Sequence, residues 1–270
     1  MTRKLFTFFF FIIILCNVYG QDSLAYQSRW QIRIMSGINI PITKMLQGTV
    51  TDNLFGYDDH SYYWQILSAS YFFHKHWGVE FTYQAGTSNR LRKKSDSYNF
   101  ITKRSEDFKA SMQSEYGDKY YVNGGTGDYD DFSFFSGDIQ RGFFGVIYRF
   151  ETNKFYVYPK LSLGTTSFYT DWGRVDLKEK NTNIKCRIDY SCGTGQYDHF
   201  TFAPSVSFGY KISKRFYVNA DIMVSYFKNN IECIKKFTNL YTNESSVDYF
   251  DYKRNIFTLS LGVGLIYVIH

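Results

Sequence analysis

Two short acidic motifs are the residues of this chain best equipped to do chemistry. Asp58-Asp59-His60 and Asp128-Tyr129-Asp130 hold the group types that, on facing loops, would position and deprotonate a water. Acidic residues gather far more often in loops with no chemistry attached, so both motifs read first as solvated turns. His60-Ser61-Tyr62 lacks a serine two positions after the histidine, no other histidine has one, and nucleophile-elbow and zinc-protease motifs are absent. Gly124-Gly125-Thr126-Gly127 has no lysine after it and no strand-to-helix context, so it is not a phosphate loop, and Asp128 to Asp131 has the composition but not the spacing of a calcium loop. Arg90, Arg92, Lys93 and Lys94 form a basic cluster that would bind phosphate groups or simply stay solvated. Cys186 and Cys192 lie close enough for a local disulfide, which leaves Cys233 unpaired unless it competes for one of them. No histidine stands near these thiols at ligand spacing. The expectation is a chain without catalytic residues, metal or cofactor.

Something must position these motifs, and composition narrows what. The 270 residues are 44% hydrophobic and 21% aromatic, with 27 Phe, 25 Tyr and only 3 Pro. That much apolar area excludes a disordered chain, and a single long apolar run excludes a polytopic helical membrane protein. Aromatic side chains suit a pleated surface. At the N-terminus Arg3 and Lys4 precede the apolar stretch Leu5 to Cys16, and Val18-Tyr19-Gly20 follows. This reads as a signal peptide over residues 1–20, cut before Gln21. The competing reading, a lipoprotein signal with Cys16 as acceptor, meets Leu15 where such signals want a small residue. Loss of Arg3 and Lys4 takes the formal charge from +6 to +4. So mild a balance does not indicate a nucleic-acid partner.

Beyond residue 28 the dominant pattern is strict alternation. From Phe257 the odd positions read Phe, Leu, Leu, Val, Leu, Tyr, Ile, and small or polar residues lie mostly between them. Eight such runs are predicted: 29–40, 61–73, 77–87, 134–149, 155–170, 200–212, 216–229 and 254–269. Their connections alternate between three to five residues (74–76, 150–154, 213–215) and twenty to forty-six (41–60, 88–133, 171–199, 230–253). Tight turns at one end and long loops at the other are the pattern of an all-β, antiparallel, up-and-down transmembrane barrel. In hydrocarbon only a closed sheet satisfies every backbone group. Pro159 and Pro204 each remove one ladder donor from that sheet. A secreted lipocalin-like or sandwich protein would show similar alternation, but with short connections at both ends and no aromatic clusters beside the turns.

The aromatic-turn-aromatic hairpins Tyr71 to Gly78 and Tyr210 to Tyr217, with the terminal strand Ile256 to Ile269, resemble the small eight-stranded outer-membrane barrels of the OmpA, OmpX and PorT type in Gram-negative envelopes. The likeness covers residues 29–270. It implies one barrel domain over residues 21–270 in the outer membrane, with short periplasmic turns and four extracellular loops. The partners it implies are outer-membrane lipids and lipopolysaccharide, the barrel-insertion machinery, and an extracellular ligand or secretion partner. The ending Tyr267-Val268-Ile269-His270 departs from the terminal aromatic residue usual in such barrels. Omptin-type barrel proteases pair Asp-x-Asp with Asp-x-His, and here Asp58, His60, Asp128 and Asp130 would fill those roles, though omptins resemble ten-stranded barrels with the motifs in the other order.

Eight strands enclose a space that side chains just fill. Arg33, Glu80, Gln84, Arg141, Lys160, Lys211 and Asp221 fall on the inward beat. Both signs are present, so an ion-paired plug is expected, with a conducting pore as the alternative. The expected role is non-enzymatic, structural or surface-interacting through the loops. A narrow channel or secretion-associated barrel is the second reading and a barrel hydrolase the third.

Overall fold

The computed structural model describes residues 29–43, 61–88, 103–127, 139–169, 172–191 and 196–269. The expected signal peptide and Cys16 lie outside them. So do Asp58, His60, Asp128 and Asp130, the basic cluster Arg90, Arg92, Lys93 and Lys94, and Cys192.

Among the described residues twelve strands and one helix form. They are β1 (Trp30–Pro41), β2 (Ser61–Phe72), β3 (Trp77–Ser88), α1 (Lys103–Tyr116), β4 (Tyr120–Gly127), β5 (Ile139–Tyr148), β6 (Phe150–Glu151), β7 (Phe155–Tyr169), β8 (Trp172–Glu179), β9 (Lys185–Ser191), β10 (Gln196–Lys211), β11 (Phe216–Asn239) and β12 (Ser245–Ile269). All pairings are antiparallel. Following them in the order β1, β2, β3, β5, β7, β10, β11, β12 leads back to β1, because β12 pairs β1 from Trp30↔Ile269 to Pro41↔Thr258 and β10 pairs β11 from Thr201↔Phe227 to Lys211↔Tyr217. Each of these eight strands therefore has a partner on both sides. Pro159 and Pro204 sit within the β7–β10 register without shifting it.

The remaining long strands leave this circuit. Past Phe227, where its register with β10 ends, β11 continues and pairs β9 from Ile234↔Ser191 to Asn239↔Cys186. β9 pairs β8, and β8 pairs β4, so a second sheet grows from the distal half of the β11–β12 hairpin. It stands where the sequence reading expected loops. The segment 230–253 is strand on both sides of a tight turn, 171–199 carries β8 and β9, and 88–133 carries α1 and β4. The physical cause is visible in retrospect. Val175 and Leu177 alternate with Arg174, Asp176 and Lys178, and Cys186, Ile188 and Tyr190 alternate with Arg187 and Asp189. Asn183 and Asn243 take φ of 58° and 61° in the two distal turns, a region asparagine tolerates better than most residues.

Alternation sorts side chains to two faces. On β12, Phe257, Val263, Leu265, Tyr267 and Ile269 are exposed, while Thr258, Ser260, Ile266 and Val268 are buried. Large apolar residues likewise face outward on β1 (Trp30, Ile32, Ile34), β5 (Phe144, Val146), β7 (Leu161, Leu163) and β10 (Phe200, Phe202, Phe208). The polarity of a water-soluble protein is reversed here. The distal sheet has an ordinary core instead, in which Met112 of α1 packs with Val175, Leu177, Ile188, Tyr190, Ile231 and Cys233.

Candidate functional site

The charged residues buried inside the circuit are the most concentrated chemistry among the described residues. Arg33 lies on β1, Glu80 on β3, Lys160 on β7 and Asp221 on β11, all buried. Arg33 Nη2 lies 3.2 Å from Glu80, and Lys160 Nζ lies 3.1 Å from Glu80 and 3.2 Å from Asp221. Hydroxyls complete the carboxylates: Ser70 Oγ donates to Glu80 at 2.7 Å and Ser207 Oγ to Asp221 at 2.7 Å. Arg33 Nη1 donates to Ser207 on β10 at 3.2 Å. Two cations meet two carboxylates. Charge balance is what burial of charge demands, since an unpaired ion in low dielectric is costly.

Who touches whom matters more than the distances. Strands β1, β3, β7 and β11 are never neighbours; each pair in the network is separated by at least one strand of the circuit. These contacts therefore run across the enclosed space. The same is true at two further levels. On one side Gln31 Nε2 of β1 donates to Tyr158 Oη of β7 at 3.2 Å, and Tyr156 of β7 donates to Asn219 of β11 at 2.6 Å. On the other side Arg141 Nη1 of β5 donates to Asn39 Oδ1 of β1 at 2.9 Å and to Ser260 Oγ of β12 at 3.1 Å. The interior is braced at three heights.

Of the remaining residues on the inward beat, Gln84 is buried and donates to Gln65 at 3.4 Å. Lys211 lies apart from the central network and pairs with Glu151 at 2.7 Å beside the short turns. Ser70, Ser207, Asn39, Tyr158, Ser260 and Glu151 were not singled out from sequence. All but Glu151 occupy buried alternating positions of their strands, which is the one signal that marks them.

The expected Cys186–Cys192 bridge is corrected by the structure. Cys186 is a free, buried thiol, and Cys233 is disulfide-bonded to a partner outside the described residues. The reason is geometric: Cys186 points into the core of the distal sheet from the start of β9, five residues before its end at Ser191. Burial raises its pKa above the ordinary thiol value. Beneath α1, Lys235 lies 3.2 Å from Glu115 and faces the rings of Tyr116 and Tyr190. Burial opposes its charge, but hydrogen bonds with Tyr116 and Glu115 outweigh that and hold its pKa above the usual lysine value. Among the described residues no group of three metal-ligating side chains forms.

No protein-family model matches the chain, and no curated protein matches it. Among solved structures it is similar to a major outer membrane protein of Thermus thermophilus, with 10% identity over 89% of this chain and 99% of that one and a TM-score of 0.37. It is similar also to the outer membrane protein OprG of Pseudomonas aeruginosa, with 14% identity, 90% and 97% coverage and a TM-score of 0.39. A third is the outer membrane protease OmpT of Escherichia coli, with 8% identity, 92% and 99% coverage and a TM-score of 0.36. All three are outer-membrane proteins. Likeness at this level selects no activity.

Proposed function

We propose that this chain is an outer-membrane barrel of eight strands whose interior is closed by its own side chains, and that it acts without catalysis, as an envelope or surface-interaction protein. The observation that carries the reading is the reversed polarity: large apolar side chains outward, ion pairs inward. Its dimensions fit. Outward aromatic residues stand ten positions apart on β10 (Phe200, Tyr210) and on β12 (Phe257, Tyr267). At about 3.4 Å per residue and a tilt near 45°, that separation spans about 24 Å, close to the apolar band of roughly 25 Å between the aromatic girdles of such barrels.

The braces support a plug over a pore. A barrel of eight strands is only wide enough for side chains to fill it, and contacts under 3.5 Å between non-adjacent strands at three heights occupy that width. The distal sheet then projects outside as a raised platform. Its outward face carries the cross-strand ion pairs Arg174–Asp189 at 2.7 Å and Arg187–Asp176 at 2.9 Å. That rigid, polar, two-signed surface suits a protein or glycan ligand better than free loops would.

The test is outer-membrane fractionation with heat-modifiable gel mobility, followed by planar-bilayer recording. The expected results are a membrane-bound species whose mobility changes on boiling and no unitary conductance. Recovery as a soluble periplasmic protein, unchanged by boiling, would reject the barrel. Steady conductance would reject the plug and favour the narrow-channel reading.

A further inference from the structure

At the end of the circuit where the connections are short, charge is distributed unlike anywhere else in the described chain. The rim residues 29, 73–76, 149–154 and 211–215 hold seven Lys or Arg and a single carboxylate, Glu151, which is already paired with Lys211. The distal sheet, by contrast, mixes both signs throughout.

Three further observations make this rim a built surface. First, the start of β1 and each short-turn hairpin present a solvent-exposed cation within two residues of an exposed aromatic: Arg29 beside Trp30, Lys75 between Phe73 and Trp77, Lys154 beside Phe155, and Arg215 beside Phe216. Second, the cations are fixed at one level by backbone bonds to the neighbouring strand or turn. The carbonyl of Arg29 accepts from Phe72 N at 2.7 Å, that of Lys154 from Lys211 N at 2.8 Å, and that of Arg215 from Val268 N at 2.8 Å. Beside Lys75, the carbonyl of His76 accepts from Arg149 N at 2.7 Å. Third, these four sites belong to four different pairs of neighbouring strands, so they encircle the molecule.

An acidic protein docked on one side would call for a one-sided patch. A ring that lies directly below a belt of aromatic side chains calls for a partner that surrounds the molecule. Aromatic rings settle at the boundary between acyl chains and headgroups, and long cationic side chains extend from there to phosphates. We propose that this rim binds the phosphate groups of anionic phospholipids in the leaflet on the short-turn side, Arg29, Lys75, Lys154 and Arg215 each engaging a headgroup. The inference rests on the membrane reading above and adds a lipid preference to it.

The experiment uses the full chain folded into vesicles of equal parts phosphatidylglycerol and phosphatidylcholine, with the acyl chains of one or the other brominated. Trp30 and Trp77 sit on the rim and report quenching. The expected result is quenching several-fold stronger by brominated phosphatidylglycerol, since a cation near an anionic surface changes occupancy by about fivefold. Added inorganic phosphate leaves that ratio unchanged. The fourfold variant Arg29→Gln, Lys75→Gln, Lys154→Gln, Arg215→Gln, still heat-modifiable, brings the ratio to about one, whereas Lys228→Gln with Lys253→Gln does not. A ratio of one in the unaltered chain, or a ratio that survives the fourfold change, overturns the proposal. So does a ratio abolished by phosphate but not by chloride at equal ionic strength, which would assign the rim to free anions. A ratio of one together with polyglutamate binding lost in the variant would assign it to an acidic protein instead. No quenching by either lipid would sink the membrane reading itself, and this inference with it, which separates the two failures.

Discussion

Glu80 accepts hydrogen bonds or charge from Arg33, Lys160, Ser70 and Thr82, so a single carboxylate ties strands β1, β2, β3 and β7 together. Removing either partner of the Arg33–Glu80 pair leaves an odd charge buried beside Lys160 and Asp221. Such a change costs on the order of 3–5 kcal/mol, whereas replacing both with apolar residues restores balance and costs far less. The expected outcome is that Arg33→Met and Glu80→Met each lower the urea midpoint of the folded protein sharply, and that the double variant stands above both. A double variant no better than the worse single one would show that the brace contributes geometry and not charge compensation. Sequence reading found Arg33, Glu80, Lys160 and Asp221 as members of the inward face because a period of two fixes the face. It could not find which of these four meet, because every ion pair among them joins strands that are not neighbours and no local spacing encodes such a pairing.

At the scale of elements, the eight runs of the circuit were legible, since alternation with obvious turns leaves little choice, although β11 and β12 run ten and nine residues beyond the predicted ends at 229 and 254. The distal sheet was not. β8 and β9 alternate as cleanly as the others, but they are short, heavily charged on one face, and fall where long loops were expected from the rhythm of short and long connections. Two predictions belong here. Lys235, Tyr116 and Tyr190 all have pKa values raised in the folded chain, the tyrosines chiefly by burial. A folded state that holds its protons more tightly is fully favoured below the ordinary values, near 10, and loses that stabilisation as pH rises through them. Thermal unfolding of the distal sheet is therefore expected to be flat from pH 7 to about 10 and to fall beyond, less steeply in Lys235→Met. The thiols give the second. Maleimide is expected to leave the folded, non-reduced protein unlabelled, and to label Cys186 alone after unfolding. In Cys192→Ser it labels Cys233 as well, because Cys192 follows Ser191, whose register partner Ile234 is adjacent to Cys233. A tryptic peptide joining Cys186 to Cys192 would restore the local bridge and reject this assignment.

Considered whole, the molecule has two cores of opposite design: a polar one inside an apolar shell, and an apolar one under a polar face. They meet where Ile139, Phe227 and Ile256 of the circuit join the cluster that contains Met112 and Ile231. The first should not need the second. Replacing residues 233–250 with an Asn-Gly turn between the register partners Glu232 and Asp251, the hairpin connection that suits right-twisted strands, is expected to leave heat-modifiable mobility intact. Proteolysis of the exposed side should then degrade 103–127 and 172–191, which lose the strand they are built on. Loss of heat-modifiability would show that the distal sheet is required for closure of the circuit.

β11 and β12 run unbroken for 24 and 25 residues, and both sheets share them. Anything that grips the outer sheet and pulls along the strand axis must strain this long ladder in shear, many rungs at once, instead of opening it rung by rung. Traction at the tip is thus delivered directly to the eight-stranded circuit, which gives the molecule the mechanics of a mooring post more than those of a flexible antenna.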